Sequence, residues 1–190
     1  MLLLGSRLNA QPIMSLQTGG ELGRAVRAVI DPADLSIVAY SLKSPLAAGT
    51  PYIRIEDIRE LSDIGFIIDS IDEFVVHGDV IKLDEIIDLQ FHLRGMAVRD
   101  EKRHKLGTII DYTVDVGTFT VQQLTVRRPL LRSLNDTELL IHRSQIIEIN
   151  NEAIVVHSQA KAPEHTLVTA PGSYVNPFRK SKPIESINSP

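Results

Sequence analysis

Arginine and leucine residues occur together in one short segment of the sequence, Arg127-Arg128-Pro129-Leu130-Leu131-Arg132. Arginine beside exposed apolar side chains is typical of binding hot spots, because the guanidinium supplies donors and the leucines supply apolar area to bury. The segment therefore predicts a partner-binding surface that consists of Arg127, Arg128, Leu130, Leu131, Arg132 and Arg143. In the alternative interpretation the leucines rest on a helix or close the end of a barrel, and the arginines are solvated.

A second interpretation of this region is a basic patch for RNA phosphates, formed with Arg99, Arg103, Lys105, His142 and Arg143. The charge balance disfavours it, because the net charge of the chain is −4 and only 5% of its residues are aromatic. Phosphate neutralisation and base stacking are both weak in such a chain. We therefore predict a protein partner, and the alternative is an RNA- or ribosome-associated factor.

Candidate catalytic and metal-binding side chains are sparse in this sequence. Asp69, Asp72 and Glu73 place three carboxylates close together, but they follow a predicted strand and are typical of a solvated loop. The six histidines have no His-x-x-x-His spacing, and the chain contains no cysteine to complete a zinc site. We predict no catalytic residue, no metal site and no cofactor. An enzyme site in the cleft between two domains is the enzymatic alternative.

The location of the protein is predicted from two features. The lack of cysteine suits a reducing compartment, and the apolar opening Met1 to Leu4 is too short to span a bilayer. The charged and small-residue parts of a signal peptide are also missing from the opening. We therefore predict a cytoplasmic protein that does not enter a membrane.

The sequence contains an internal repeat. Leu22-Gly23 and the following apolar residues up to Asp31 recur, at one constant offset, as Leu106-Gly107 up to Asp115. Later segments match at a slightly larger offset, as Ile58 does with Ile146. One insertion of four residues after the second Pro-Leu pair explains the change.

Each copy of the repeat has the period of a β-strand. Leu106, Thr108, Ile110, Tyr112 and Val114 alternate with Gly107, Ile109, Asp111, Thr113 and Asp115, as a strand with one packed face requires. Turn residues such as Asp31-Pro32-Ala33-Asp34 follow these strands. The pattern predicts about five short antiparallel strands per copy, enough to close or nearly close a small barrel.

Between and after the copies the pattern changes. Leu83, Ile86, Ile87 and Phe91 have the spacing of an amphipathic helix, which should pack its apolar stripe on one or both copies. Residues 158–190 are rich in Pro, Ser, Lys and Thr, which predicts a disordered tail. Its segment from Tyr174 to Lys182 mixes aromatic and cationic residues, and its role as a binding motif is left open.

The ordered set of these segments resembles the PRC-barrel family: a first strand, a polar turn, Leu-Gly, a strand that ends in Asp, a second long strand and a late Ile-x-Glu-Ile segment. Leu106-Gly107 to Asp115, Phe119 to Val126 and Arg143 to Ile149 carry the resemblance most clearly. The resemblance implies a β-barrel of the kind found in the reaction-centre H subunit and in ribosome maturation factors. That family has no common catalytic residues, so the resemblance implies a fold but no activity.

The sequence therefore predicts an all-β protein of two tandem PRC-type barrels joined by a short helix. The expected parts are a first barrel over residues 8–80, a linker helix over 81–92, a second barrel over 93–157 and the tail over 158–190. We expect it to act as a non-enzymatic protein-interaction or adaptor module of a bacterial cytoplasm. The two halves also differ in charge, with −7 over residues 1–92 and +3 over residues 93–190.

Overall fold

A computed structural model describes residues 1–129, 137–150 and 152–157. Their strands are β1 (Leu2–Leu4), β2 (Pro12–Ser15), β3 (Glu21–Asp31), β4 (Ser36–Lys43), β5 (Tyr52–Arg54), β6 (Glu60–Ser62), β7 (Gly65–Ile68), β8 (Ala97–Asp100), β9 (Lys105–Asp115), β10 (Thr120–Arg127), β11 (Glu138–His142), β12 (Ile146–Ile149) and β13 (Ala153–Val156). The helices of the same residues are α1 (Gly5–Leu8), α2 (Ile81–Asp88) and three 3-10 helices at Ile55–Asp57, Ile71–Glu73 and Arg143–Gln145. This confirms the all-β prediction. The predicted tail lies outside the described residues.

All of these strands belong to one mixed sheet. Its path of hydrogen-bonded neighbours is β12-β13-β8-β9-β10-β4-β3-β2-β7-β6, while β1 pairs with β9, β5 with β4 and β11 with β10. The sequence predicts two separate barrels, whereas the ladders of the described strands form a single sheet that is not closed. In each half, a 3-10 helix lies between two consecutive strands that are not paired with each other. These strands are β5 and β6 in the first half and β11 and β12 in the second.

Each half also contains one parallel pair of strands, where the sequence predicts only antiparallel ones. β2 pairs with β7 and β8 pairs with β13 in parallel. The antiparallel pairs β2–β3, β3–β4, β4–β5 and β6–β7 then require β5 and β6 to run in the same direction. The 3-10 helix therefore carries the chain from the side of β4 to the side of β7 without reversing it.

The same strand pairing occurs twice along the chain, as the repeat predicts. β3 and β4 match β9 and β10 at one constant offset, in both their first and their last residues. In the next ladder the pair Tyr40–Ile53 corresponds to the pair Leu124–Ile141, so the offset is larger on the later strand. The four extra residues therefore lie between β10 and β11, in the connection that contains residues 130–136.

Irregularities of the ladders are duplicated as well. The register shifts that leave Val26 unpaired in β3 and Val38 unpaired in β4 have counterparts at Ile110 in β9 and Gln122 in β10. Each counterpart occupies the equivalent position of the other copy, at the offset that relates the strands themselves. Because a bulge bends and twists its strand, the two copies bend at the same places.

The bulge at Ile110 changes which residues of β9 face the core. Gly107 and Ile109 are buried before it, and Tyr112 and Val114 are buried after it. The single alternating face predicted for the strand is therefore wrong for the residues before the bulge. One extra residue is enough to move every later side chain to the opposite face of the sheet.

The two halves pair with each other through equivalent residues. Ser36 of β4 lies opposite Thr120 of β10, and each is the first residue of its strand. The Ile37 amide donates to the Phe119 carbonyl at 2.8 Å, and the Val121 amide donates to the Leu35 carbonyl at 3.0 Å. Exchanging the two copies converts one of these hydrogen bonds into the other, so the junction has local two-fold pseudosymmetry.

The segment before each copy packs on the other copy. β1 pairs with β9, while α2 contacts β3. Ser6 donates to the Asp111 carboxylate through its backbone at 3.1 Å and its hydroxyl at 2.5 Å. His92 lies 3.0 Å from a guanidinium nitrogen of Arg27, the residue equivalent to Asp111. Each copy is therefore covered in part by the leading segment of the other, which holds the two together.

The helix predicted over residues 81–92 ends earlier, at Asp88. Of its apolar stripe Leu83 is buried, while Ile86, Ile87 and Phe91 are half-buried. The prediction that this stripe packs on the protein is therefore confirmed for Leu83, but the other three residues are less buried than expected. One hydrophobic core cluster contains buried residues of both copies, among them Ile13, Tyr40, Phe66, Val98, Leu124 and Ile154. The described residues belong to one compact unit.

Candidate functional site

Three of the six residues predicted to bind a partner lie in the part of the chain that the structure describes, and Arg143 lies apart from the other two. Arg127 is exposed at the end of β10, and the Arg128 amide donates to the Thr137 carbonyl. Arg143 lies beyond the other end of β11, where its guanidinium donates to the Asp34 carbonyl at 3.1 Å. Four residues of β10 separate the two ends, about 13 Å of extended chain. Leu130, Leu131 and Arg132 lie outside the described residues.

The acidic stretch after β7 is used in local contacts. Both carboxylate oxygens of Asp69 accept hydrogen bonds from Arg59, which lowers the pKa of that carboxyl. The Ser70 hydroxyl accepts from the Asp72 amide and so caps the following 3-10 helix. Among the described residues no group of three or more metal-binding side chains is found.

A cleft of about 640 Å³ lies where the two halves meet. β3 and β4 form one wall of it. The segment 91–94, which precedes β8, and Tyr112 of β9 also line it. Asn9, Thr50 and Tyr52 complete the lining. Both copies therefore contribute to the site, and neither copy alone contains it.

Two equivalent positions of the copies both line the cleft and differ in size. Ala28 of β3 corresponds to Tyr112 of β9. The Tyr112 ring packs so closely on Gly5 that a Cβ atom at that position would overlap it. Burial, and next the charge of Asp111, raises the pKa of Tyr112 to about 12, so its phenol is neutral at ordinary pH.

The described residues that line the cleft include basic side chains and no acidic one. The lining contains Arg27, His92 and Arg94, and no carboxylate occurs among the described residues that line it. Arg94 Nε donates to the Ile110 carbonyl at 2.8 Å, and one terminal nitrogen of Arg27 contacts His92 Nε2. Because a guanidinium only donates hydrogen bonds, His92 Nε2 is the acceptor and the ring proton lies on Nδ1.

Some arginines of the described residues pair with carboxylates and others do not. Arg24, Arg54 and Arg59 each form an ion pair with a nearby carboxylate. Within the parts of the chain that the structure describes, Arg27 and Arg94 have no such pair. Both line the cleft, and no carboxylate occurs among the described residues that line it, so the site has a local excess of positive charge.

The lining also includes an amide side chain and apolar surface. Asn9 lines the cleft, and its Oδ1 is buried without a hydrogen-bond partner in the described residues. Val26 and Phe91 add apolar surface beside the arginines. The arrangement is suited to binding a molecule that has both a charged and an apolar part.

Comparison with known proteins supplies no family for this chain. No protein-family model and no curated protein matches it. In the described residues no helix is long and apolar enough to cross a membrane.

None of the residues that line this cleft was assigned a binding role from the sequence, although Phe91 and Tyr112 were named as structural residues. Arg27, His92 and Arg94 belong to no motif, and their proximity depends on the way the two copies pair. The sequence did contain one signal of an asymmetric site. When the two copies are aligned, Ala28 matches Tyr112 and Arg27 matches Asp111, so residues of different size and charge occupy equivalent positions. Differences between copies at otherwise matched strand positions mark the places where a duplicated fold becomes asymmetric.

Proposed function

We propose that this chain is a non-enzymatic protein-interaction or adaptor module of the bacterial cytoplasm, and that its partner binds in the cleft between the two copies. The observation that carries the proposal is the pair Arg27 and Arg94, which lack carboxylate partners in the described residues and lie beside the half-buried Phe91. Interfaces use this combination of arginine and aromatic side chains at their centres. A guanidinium stays protonated, so it serves binding rather than proton transfer.

The proposal includes the fold of each copy. Each half is a PRC-type module in which the chain passes from one edge of the strand path to the other through a 3-10 helix. The duplicated pairing, the duplicated bulges and the parallel first and last strands support this assignment. The tandem arrangement then gives the protein a site that a single module does not have.

A photo-crosslinking experiment tests the function. A benzoylphenylalanine at Thr50, an exposed residue of the cleft, is compared in extracts of the native host with one at Thr18, which is exposed but does not line the cleft. We expect protein adducts from position 50 that are absent from position 18. They should disappear when Arg27→Gln and Arg94→Gln are introduced, because the positive charges of the site are then lost.

Nuclease treatment separates the two partner classes. Protein adducts that survive nuclease support the proposal. Adducts that contain RNA, or that disappear after nuclease treatment, would favour the RNA-associated alternative. Adducts that are unchanged in the Arg27→Gln/Arg94→Gln variant would show that the partner does not use the cleft.

A further inference from the structure

We infer that the cleft is an oxyanion site, and that its ligand is a carboxylate or phosphate carried on an apolar or aromatic body. The inference rests on the proposed function in taking the cleft as the place where a partner binds. It adds the chemistry of the group that binds there.

The charge of the lining favours an anionic ligand. Two guanidiniums and one imidazole line the cleft without a carboxylate among its described residues. Arg24, Arg54 and Arg59 pair with neighbouring carboxylates, whereas Arg27 and Arg94 have no such partner in the described residues. An anionic ligand therefore meets two guanidiniums whose charge is not compensated by the carboxylates that the structure describes. Arginine matches planar carboxylates and phosphates because its N–H groups donate two parallel hydrogen bonds.

Existing hydrogen bonds hold both guanidiniums in place. Arg94 is held by its Nε bond to the Ile110 carbonyl, which leaves both terminal nitrogens for a ligand. Arg27 is held by His92, whose Nε2 accepts from one terminal nitrogen. His92 is thus a positioning residue for Arg27. Such fixed donors lose little side-chain entropy when an anion binds.

The apolar part of the ligand follows from the rest of the lining. Val26, Ile30 and Phe91 contribute apolar surface, and the volume of about 640 Å³ is far larger than one carboxylate or phosphate requires. Pockets of this size bind molecules with apolar bodies and a few fixed polar groups. A bare inorganic anion would leave this apolar surface in contact with water. An anion with an aromatic body covers it and should therefore bind more tightly.

Titration of the purified full chain with three small probes tests the inference. Phenylacetate and phenyl phosphate carry the anion on an aromatic body, and phenethylamine carries a cation on a similar body. We expect saturable NMR shifts of the Arg27 and Arg94 Nε–Hε signals with the anions and none with the amine. The tighter of the two anions tells whether the natural group is a carboxylate or a phosphate. Acetate should bind more weakly than phenylacetate.

Matched variants connect binding to the named residues. Arg27→Gln and Arg94→Gln should each weaken anion binding by about tenfold, which corresponds to about 1.4 kcal/mol. Lys43→Gln removes the same charge from an exposed residue outside the cleft and should leave affinity unchanged. His92→Leu should weaken binding, whereas His92→Gln should restore it, because the amide oxygen also accepts from Arg27. Circular dichroism verifies that each variant is folded.

Failure of this inference is distinguishable from failure of the proposed function. Equal responses to the amine and the acids, or no saturable response to either anion, would overturn the oxyanion site even if protein crosslinks at Thr50 depended on Arg27. Arginine-dependent anion binding without any protein crosslink would support the site and contradict the adaptor function. Affinities unchanged in Arg27→Gln and Arg94→Gln would also overturn the site.

Discussion

Gly23 and Gly107 are the same structural residue in the two copies. A Cβ atom on Gly23 would lie 2.8 Å from the Lys43 carbonyl oxygen, and one on Gly107 would overlap the Arg127 carbonyl. The strands β3 and β4, like β9 and β10, approach each other too closely there for any side chain. The Leu-Gly pair is therefore a packing requirement, which explains why it marks the repeat in the sequence.

A residue-scale prediction concerns Gly107→Ala. Because the new methyl group meets backbone that cannot move freely, we expect the free energy of unfolding to fall by about 1 to 3 kcal/mol. Gly117→Ala is the control, since a Cβ atom there meets its nearest neighbour at an ordinary 3.6 Å from the Asp115 side chain. Urea denaturation measures both. Equal stability of the two variants would contradict the close approach of β9 and β10.

Another pair of equivalent residues caps the following turn with different side chains. Ser15 and Asp100 end β2 and β8, are buried, and accept hydrogen bonds from the backbone of the following turn, at Thr18 and His104. Burial would raise the pKa of the Asp100 carboxyl, but the hydrogen bonds from His104 outweigh it and lower the pKa. A carboxylate can therefore replace a hydroxyl at this position because both cap the turn.

At the scale of elements, the sequence predicted the parts that depend on local chemistry. The long strands and the turns after Asp31 and Asp115 were found, because alternation and turn residues specify them locally. The bulges were missed because an extra residue in a ladder leaves no distinct pattern in one strand. The sequence did not predict the pairing of β1 and left open which copy α2 packs on. Each segment packs on the opposite copy, and a local sequence pattern cannot show that.

The packing of α2 supports an element-scale prediction. Leu83 is 6% exposed, whereas Ile81 on the same helix is 76% exposed. Leu83→Asp should lower the free energy of unfolding by about 2 to 4 kcal/mol, because it places an unpaired charge in an apolar contact. Ile81→Asp should change it by less than about 0.5 kcal/mol. Thermal melts compare the two variants, and equal melting temperatures would show that the helix does not pack as described.

At the scale of the whole molecule, the predicted pair of barrels on a linker differs from the single sheet observed. The two copies share a core cluster, a strand junction and exchanged leading segments. None of these is visible in either copy alone, because each depends on which edges the copies present to each other. The same holds for the cleft, because residues of both copies line it.

The pairing of the two copies at equivalent residues is the central claim, and an engineered disulfide tests it most directly. Ser36 and Thr120 lie opposite each other without hydrogen bonds between their own backbone groups, the geometry in which antiparallel neighbours are closest. The chain contains no cysteine, so Ser36→Cys/Thr120→Cys introduces one defined pair. We expect an intramolecular disulfide under mild oxidation, seen as monomer without free thiol. Free thiols or only disulfide-linked dimers would contradict the pairing.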